Sequence, residues 1–88
     1  MPYARIWYQP SGGVLITYFL DGSDPETVSR VLREDGHVAR GATFEDVASE
    51  AELQTLIPQD RSQREKWRKN PSGRGVRIDP TVPSRRPQ

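Results

Sequence analysis

Cysteine is missing from this 88-residue chain, histidine and methionine occur once each, and aromatic residues make up only 8%. Without cysteine there is no disulfide, no thiolate metal ligand and no thiol nucleophile. No apolar run approaches the roughly 20 residues that cross a bilayer. The longest, Val14 to Leu20, is broken by Thr17 and has the length of a strand. The opening Met1-Pro2-Tyr3-Ala4-Arg5 lacks a signal-peptide pattern, so a cytoplasmic location is expected. With 33% apolar residues and eight prolines, part of the chain is expected to stay unpacked. A chain this long makes one domain and buries only about 60% of its unfolded surface.

What is present is charge, and it is divided end to end. Through Asp60 there are four basic residues against ten acidic ones; from Arg61 onward there are nine basic against two acidic. The formal net of +1 conceals this split. A bipolar chain aims its basic end at something anionic: nucleic acid, an acidic protein, or the front half of another copy in a homo-oligomer.

Local patterns predict the elements. Tyr3–Gln9 and Val14–Leu20 are β-branched and aromatic, joined by Pro10-Ser11-Gly12-Gly13, a hairpin connection. Ser23 as cap, Pro25 in the first turn and Glu26 completing a capping box predict a helix over 24–35. Val28, Val31 and Leu32 would lie on the sheet, and Gly36 would end the helix. Ala42–Ala48 suits an edge strand better than a helix, although Phe44 and Val47 at i, i+3 allow either. Ser49-Glu50-Ala51-Glu52 opens a short helix that Pro58 closes. Asp60 caps a third expected helix, Arg61–Lys69, anchored by Trp67; Asn70-Pro71-Ser72-Gly73 turns, and 75–79 forms a last strand. The expected fold class is α+β: a mostly antiparallel sheet of the hairpin plus one or two short strands, packed by one main helix. A peripheral basic helix and a flexible tail over 80–88 complete a domain of residues 1–79.

The candidate site is the basic stretch. On a helix Arg61, Arg64 and Arg68 share one stripe, away from Trp67, and Lys69, Arg74 and Arg77 extend it. Arginine suits phosphate because its planar fork stays charged and bonds in pairs. The bland alternative is a solvated face. Tyr3, Trp7, Tyr8, Tyr18 and Phe19 are a second candidate, as a stacking platform for single-stranded nucleic acid, a protein-binding patch, or simply the core. His37 has no nucleophile near it in sequence, and Glu45, Asp46, Glu50 and Glu52 lack calcium-loop spacing. No glycine stretch has phosphate-loop flanks and no serine sits in a nucleophile elbow. The expectation is therefore a non-enzymatic binding module with no metal and no cofactor.

Ile6-Trp7-Tyr8, Gly12-Gly13-Val14, Leu56-Ile57-Pro58-Gln59-Asp60-Arg61 with Trp67 downstream, and Val76-Arg77-Ile78-Asp79 together span most of the chain. In these motifs it resembles small proteins encoded in prophage and other mobile-element regions, which pair a GG hairpin with a Leu-Pro-x-Asp-Arg…Trp segment and a closing strand. It departs from them in extra residues before Pro58 and a more basic segment after it. The resemblance implies a mobile-element context and no particular chemistry. It also gives weight to an antitoxin-like or adaptor protein that binds a protein partner through its C-terminal segment.

Overall fold

A computed structural model describes residues 2–20, 22–59 and 61–81, and the side chains of all of these except 61–63. The roles expected of Asp60, of the Arg61 side chain and of the tail from residue 82 onward lie outside the described residues. No helix among those described is long and apolar enough to cross a membrane.

The fold is α+β, with two α-helices and two antiparallel sheets among the described residues. β1 (Ala4–Tyr8) and β2 (Val14–Tyr18) form the expected hairpin, in register from Ala4 opposite Tyr18 to Tyr8 opposite Val14. β3 (Thr43–Val47) pairs antiparallel with the other side of β1, so 42–48 resolves as the edge strand. The order β2-β1-β3 places β1 in the centre, and every one of its residues is buried. That explains why the first strand is apolar on both faces: each face has its own cover.

One face carries Ala4, Ile6, Tyr8 and Val47, packed with Leu53, Ile57, Trp67 and Val76 in the main core. Leu53 comes from α2 (Glu50–Leu56), whose cap is Ser49 as expected: its hydroxyl accepts from the Glu52 amide at 3.2 Å. Helix α1 (Pro25–Glu34) covers the opposite face, which carries Arg5 and Trp7. Its cap is Asp24 rather than Ser23; the carboxylate accepts from the Glu26 amide and the Thr27 hydroxyl. Those two bonds hold the Asp24 carboxyl below its ordinary pKa. The buried side of α1 also differs from expectation. Ser29 is buried and Val28 and Leu32 half-buried, while Val31 is left exposed. The helix has turned to bring a hydroxyl, rather than a valine, onto the buried Arg5.

The largest departure follows Asp60. In place of an α-helix over Arg61–Lys69, residues Arg61–Lys66 make a 3-10 turn and Trp67–Lys69 form β4, paired with β5 (Val76–Ile78). A helix there would offer the core one large apolar residue, too little to stabilise an isolated nine-residue helix. Extended pairing buries Trp67 fully and sets it opposite Ile78. The turn between the strands is the expected one, with the Asn70 side chain accepting from the Ser72 amide.

Tyr8 ties the two sheets together. Its hydroxyl donates to the Gly75 carbonyl at 3.2 Å. Burial, reinforced by the Glu45 carboxylate, pushes this phenol well above its ordinary pKa. A phenol harder to ionise when folded than when unfolded stabilises the fold fully below about pH 10, and less as pH climbs past it. Tyr8→Phe should therefore cost about 1 kcal/mol at neutral pH. The Gly75 carbonyl keeps its bond from the Asn70 amide, so no acceptor is orphaned. Urea midpoints of both forms should converge between pH 7 and about 11; a constant gap would show that this hydroxyl is not the titrating group.

Candidate anion-binding cleft

The first hairpin turn builds one wall of a cleft. The Gln9 amide donates to the Gly13 carbonyl at 2.8 Å and the Gly12 amide to the Gln9 carbonyl at 2.9 Å. The Gln9 side chain fixes the turn to the loop after α1, donating to the His37 carbonyl and accepting from the Ala39 amide. Gly12 sits at φ 100°, and a Cβ there would lie 2.8 Å from Arg68 Nε. Glycine thus serves two needs at this point: the left-handed turn, and the close approach of a guanidinium to the backbone.

The opposite wall is the 3-10 turn and β4. Arg68 Nη1 donates to the Trp67 carbonyl at 2.6 Å and the Glu65 carbonyl at 3.1 Å, which fixes the guanidinium against the turn. Arg64 is exposed, with its guanidinium carbon 5.8 Å from the Trp67 ring. Between the walls lies an open cleft of about 230 Å³, lined by Ser11, Gly13, Val14, Arg64, Glu65 and Arg68. Two cations, one carboxylate and a serine hydroxyl set its polarity. Two guanidinium groups facing one cleft are chemically suited to an anion.

The expected contact set divides here. Arg64 and Arg68 meet in the cleft, and neither forms an ion pair among the described residues. Lys69 is exposed nearby, its ammonium 5.6 Å from the Tyr8 ring centroid. Arg77 stands directly across from Arg68 on the β4–β5 ribbon, and its Nη2 is 3.8 Å from Asp79 Oδ2. Asp79 is itself held below its ordinary pKa, first by bonds from the Thr81 hydroxyl and amide. Arg74 turns away from the cleft, donating to the Asp46 carbonyl at 3.0 Å and pairing with Glu52 at 3.1 Å. The shared helical stripe does not exist, because the helix does not.

Among the aromatics, Trp7, Tyr8 and Phe19 are core, whereas Tyr18 remains 45% exposed. No three His, Cys, Asp or Glu side chains among the described residues are grouped to hold a metal. The part played by Ser11 and Gly13 was not evident from the basic residues alone. Its one trace is the second glycine, since only Gly12 of the pair takes a positive φ. No protein-family model, curated protein or solved structure matches this chain, so the cleft is read from its own residues.

Proposed function

We propose that this protein is a small binding module that grips a phosphate of nucleic acid in the cleft between the hairpin turn and β4. The observation that carries this reading is the convergence on one cleft of two guanidinium groups, Arg64 and Arg68, that form no ion pair among the described residues. Planar forks of this kind hold phosphate oxygens in pairs. Arg68 is pre-oriented by two backbone carbonyls, so little of its rotamer freedom remains to be lost on binding. Ser11 adds a hydroxyl donor, and Lys69 a mobile charge at the side. Arg77 extends the surface, because its exposed contact with Asp79 is weak and exchanges readily with solvent. Arg74 is assigned to the fold instead.

The test is anisotropy of a labelled oligonucleotide. Three phosphate contacts, from Arg64, Arg68 and Lys69, predict a loss of roughly 20-fold between 50 and 200 mM salt. Arg64→Ala combined with Arg68→Ala should remove most of that dependence, since each lost contact lowers the single-strand salt slope by about 0.7. Arg74→Ala should leave it intact. Affinity indifferent to salt, or to the double substitution, would end the proposal.

A further inference from the structure

We infer, resting on the phosphate reading above, that the ligand is an extended single strand lying along β2, with one base stacked on Tyr18. The cleft opens at one end of a strand that differs from its neighbour in exposure. β1 is buried throughout, whereas β2, at the sheet edge, is half-exposed from Val14 to Thr17 and exposed at Tyr18. Val14 lines the cleft. Alternation places Val14, Ile16 and Tyr18 on one face, opposite Tyr8, Ile6 and Ala4 in register. Tyr18 thus lies on the same face as the cleft, about 13 Å from it at the rise of an antiparallel strand. Its ring meets Tyr3 at 84° with centroids 5.8 Å apart, a contact that steadies the ring without sandwiching it. A phosphate grip at one end and an exposed aromatic ring at the other are the two parts of a single-strand site. A duplex uses its base faces for its own stacking and cannot engage Tyr18. Ile16, between them on this face, packs against the main core and stays only half-buried, so its uncovered part can meet the intervening sugar.

The experiment compares labelled T10, U10, an abasic ten-mer and a hairpin duplex with the same number of phosphates. The strand with bases should bind about 10-fold tighter than the abasic and duplex forms, a margin set by one stacked base. Tyr18→Ala should erase that margin while leaving abasic binding unchanged, and Tyr18→Phe should keep it. A margin for U10, for T10 or for both supports the inference and names the strand. Equal binding of all four ligands, no effect of Tyr18→Ala, or an equal loss on the abasic strand overturns it. If the Arg64→Ala, Arg68→Ala double variant still weakens every ligand, phosphate gripping survives that failure; if it weakens none, both readings fall together.

Discussion

Gly75→Ala should lower stability by about 4 kcal/mol, the sum of backbone strain and a steric clash that cannot relax. Gly75 sits at φ 93°, where a side chain is strained whatever space surrounds it. There is also no space. The new Cβ would stand 2.5 Å from the Leu56 carbonyl oxygen and 3.1 Å from its Cα, both backbone atoms at the end of α2. Nor can residue 75 retreat. Its amide donates to Glu45 at 2.9 Å, and its carbonyl accepts from the Tyr8 hydroxyl at 3.2 Å and the Asn70 amide at 2.9 Å. Total stability for 88 residues is on the order of 4–13 kcal/mol, so this one methyl group threatens the folded population. Gly73 supplies the control. Nothing lies within 4 Å of a Cβ placed there and its φ is not positive, so Gly73→Ala should stay within about 0.5 kcal/mol of wild type. Urea unfolding of both variants is the measurement. Comparable midpoints for the two would show that the ribbon is not clamped against α2. Because β4 carries Arg68, loosening the ribbon should also weaken the proposed phosphate binding beyond what unfolding alone explains.

The same two-stranded ribbon marks where the chain stops being legible from sequence. The N-terminal hairpin, α1 with its stop at Gly36 and the Ser49 cap all follow from short-range chemistry: alternation, turn residues, capping side chains. β3 is open to either reading until pairing with β1 decides it. Residues 61–69 do not follow from short-range chemistry. Arginines at i, i+3 and i+7 imitate a helical face, yet a periodic polar face says nothing about packing, and packing decides helices. The competing signal was a turn, Asn70-Pro71-Ser72-Gly73, flanked by two three-residue segments that each carry a β-capable residue, Trp67 and Val76. It loses to the arginine spacing only if long-range pairing is ignored. The site shares this fate. Arg64 and Arg68 do line one cleft, but its second wall comes from a turn some fifty residues earlier, and only the sheet brings them together. Spacing also could not separate Arg74, which faces Glu52, from Arg68, which faces the cleft. Charge counting failed most at Arg5, counted as one of four cations in an acidic half, though only 4% of its surface is exposed.

Arg5→Ala is expected to cost about 3 kcal/mol, through an interaction that charge pattern alone hides. From the central strand β1 the guanidinium reaches Ser29 of α1. Nε and Nη2 donate to the two oxygens of Asp46 at 2.6 and 3.2 Å, and Nη1 donates to the Ser29 hydroxyl at 2.6 Å. Its central carbon lies 3.9 Å from the Phe44 ring centroid, with Trp7 and Phe19 each at 5.7 Å. The residue thus joins β1, β3 and α1 in one side chain. Truncation leaves a cavity beneath the helix and an orphaned serine hydroxyl. It does not strand a buried charge, because the Asp46 side chain is 43% exposed and can rehydrate. That exposure sets the expected loss at the low end for a broken buried pair. Geometry, rather than charge, carries most of the effect: Arg5→Lys retains the cation but cannot bond both carboxylate oxygens and Ser29 at once, so about 2 kcal/mol should still be lost. Asp46→Asn leaves the buried guanidinium without its counter-charge and turns an amide NH2 toward one of its donors, so it should cost about 3 kcal/mol. Urea midpoints followed by far-ultraviolet circular dichroism would rank the three. If Arg5→Lys matched wild type, the forked geometry would be irrelevant and the guanidinium merely a buried charge that any cation could replace.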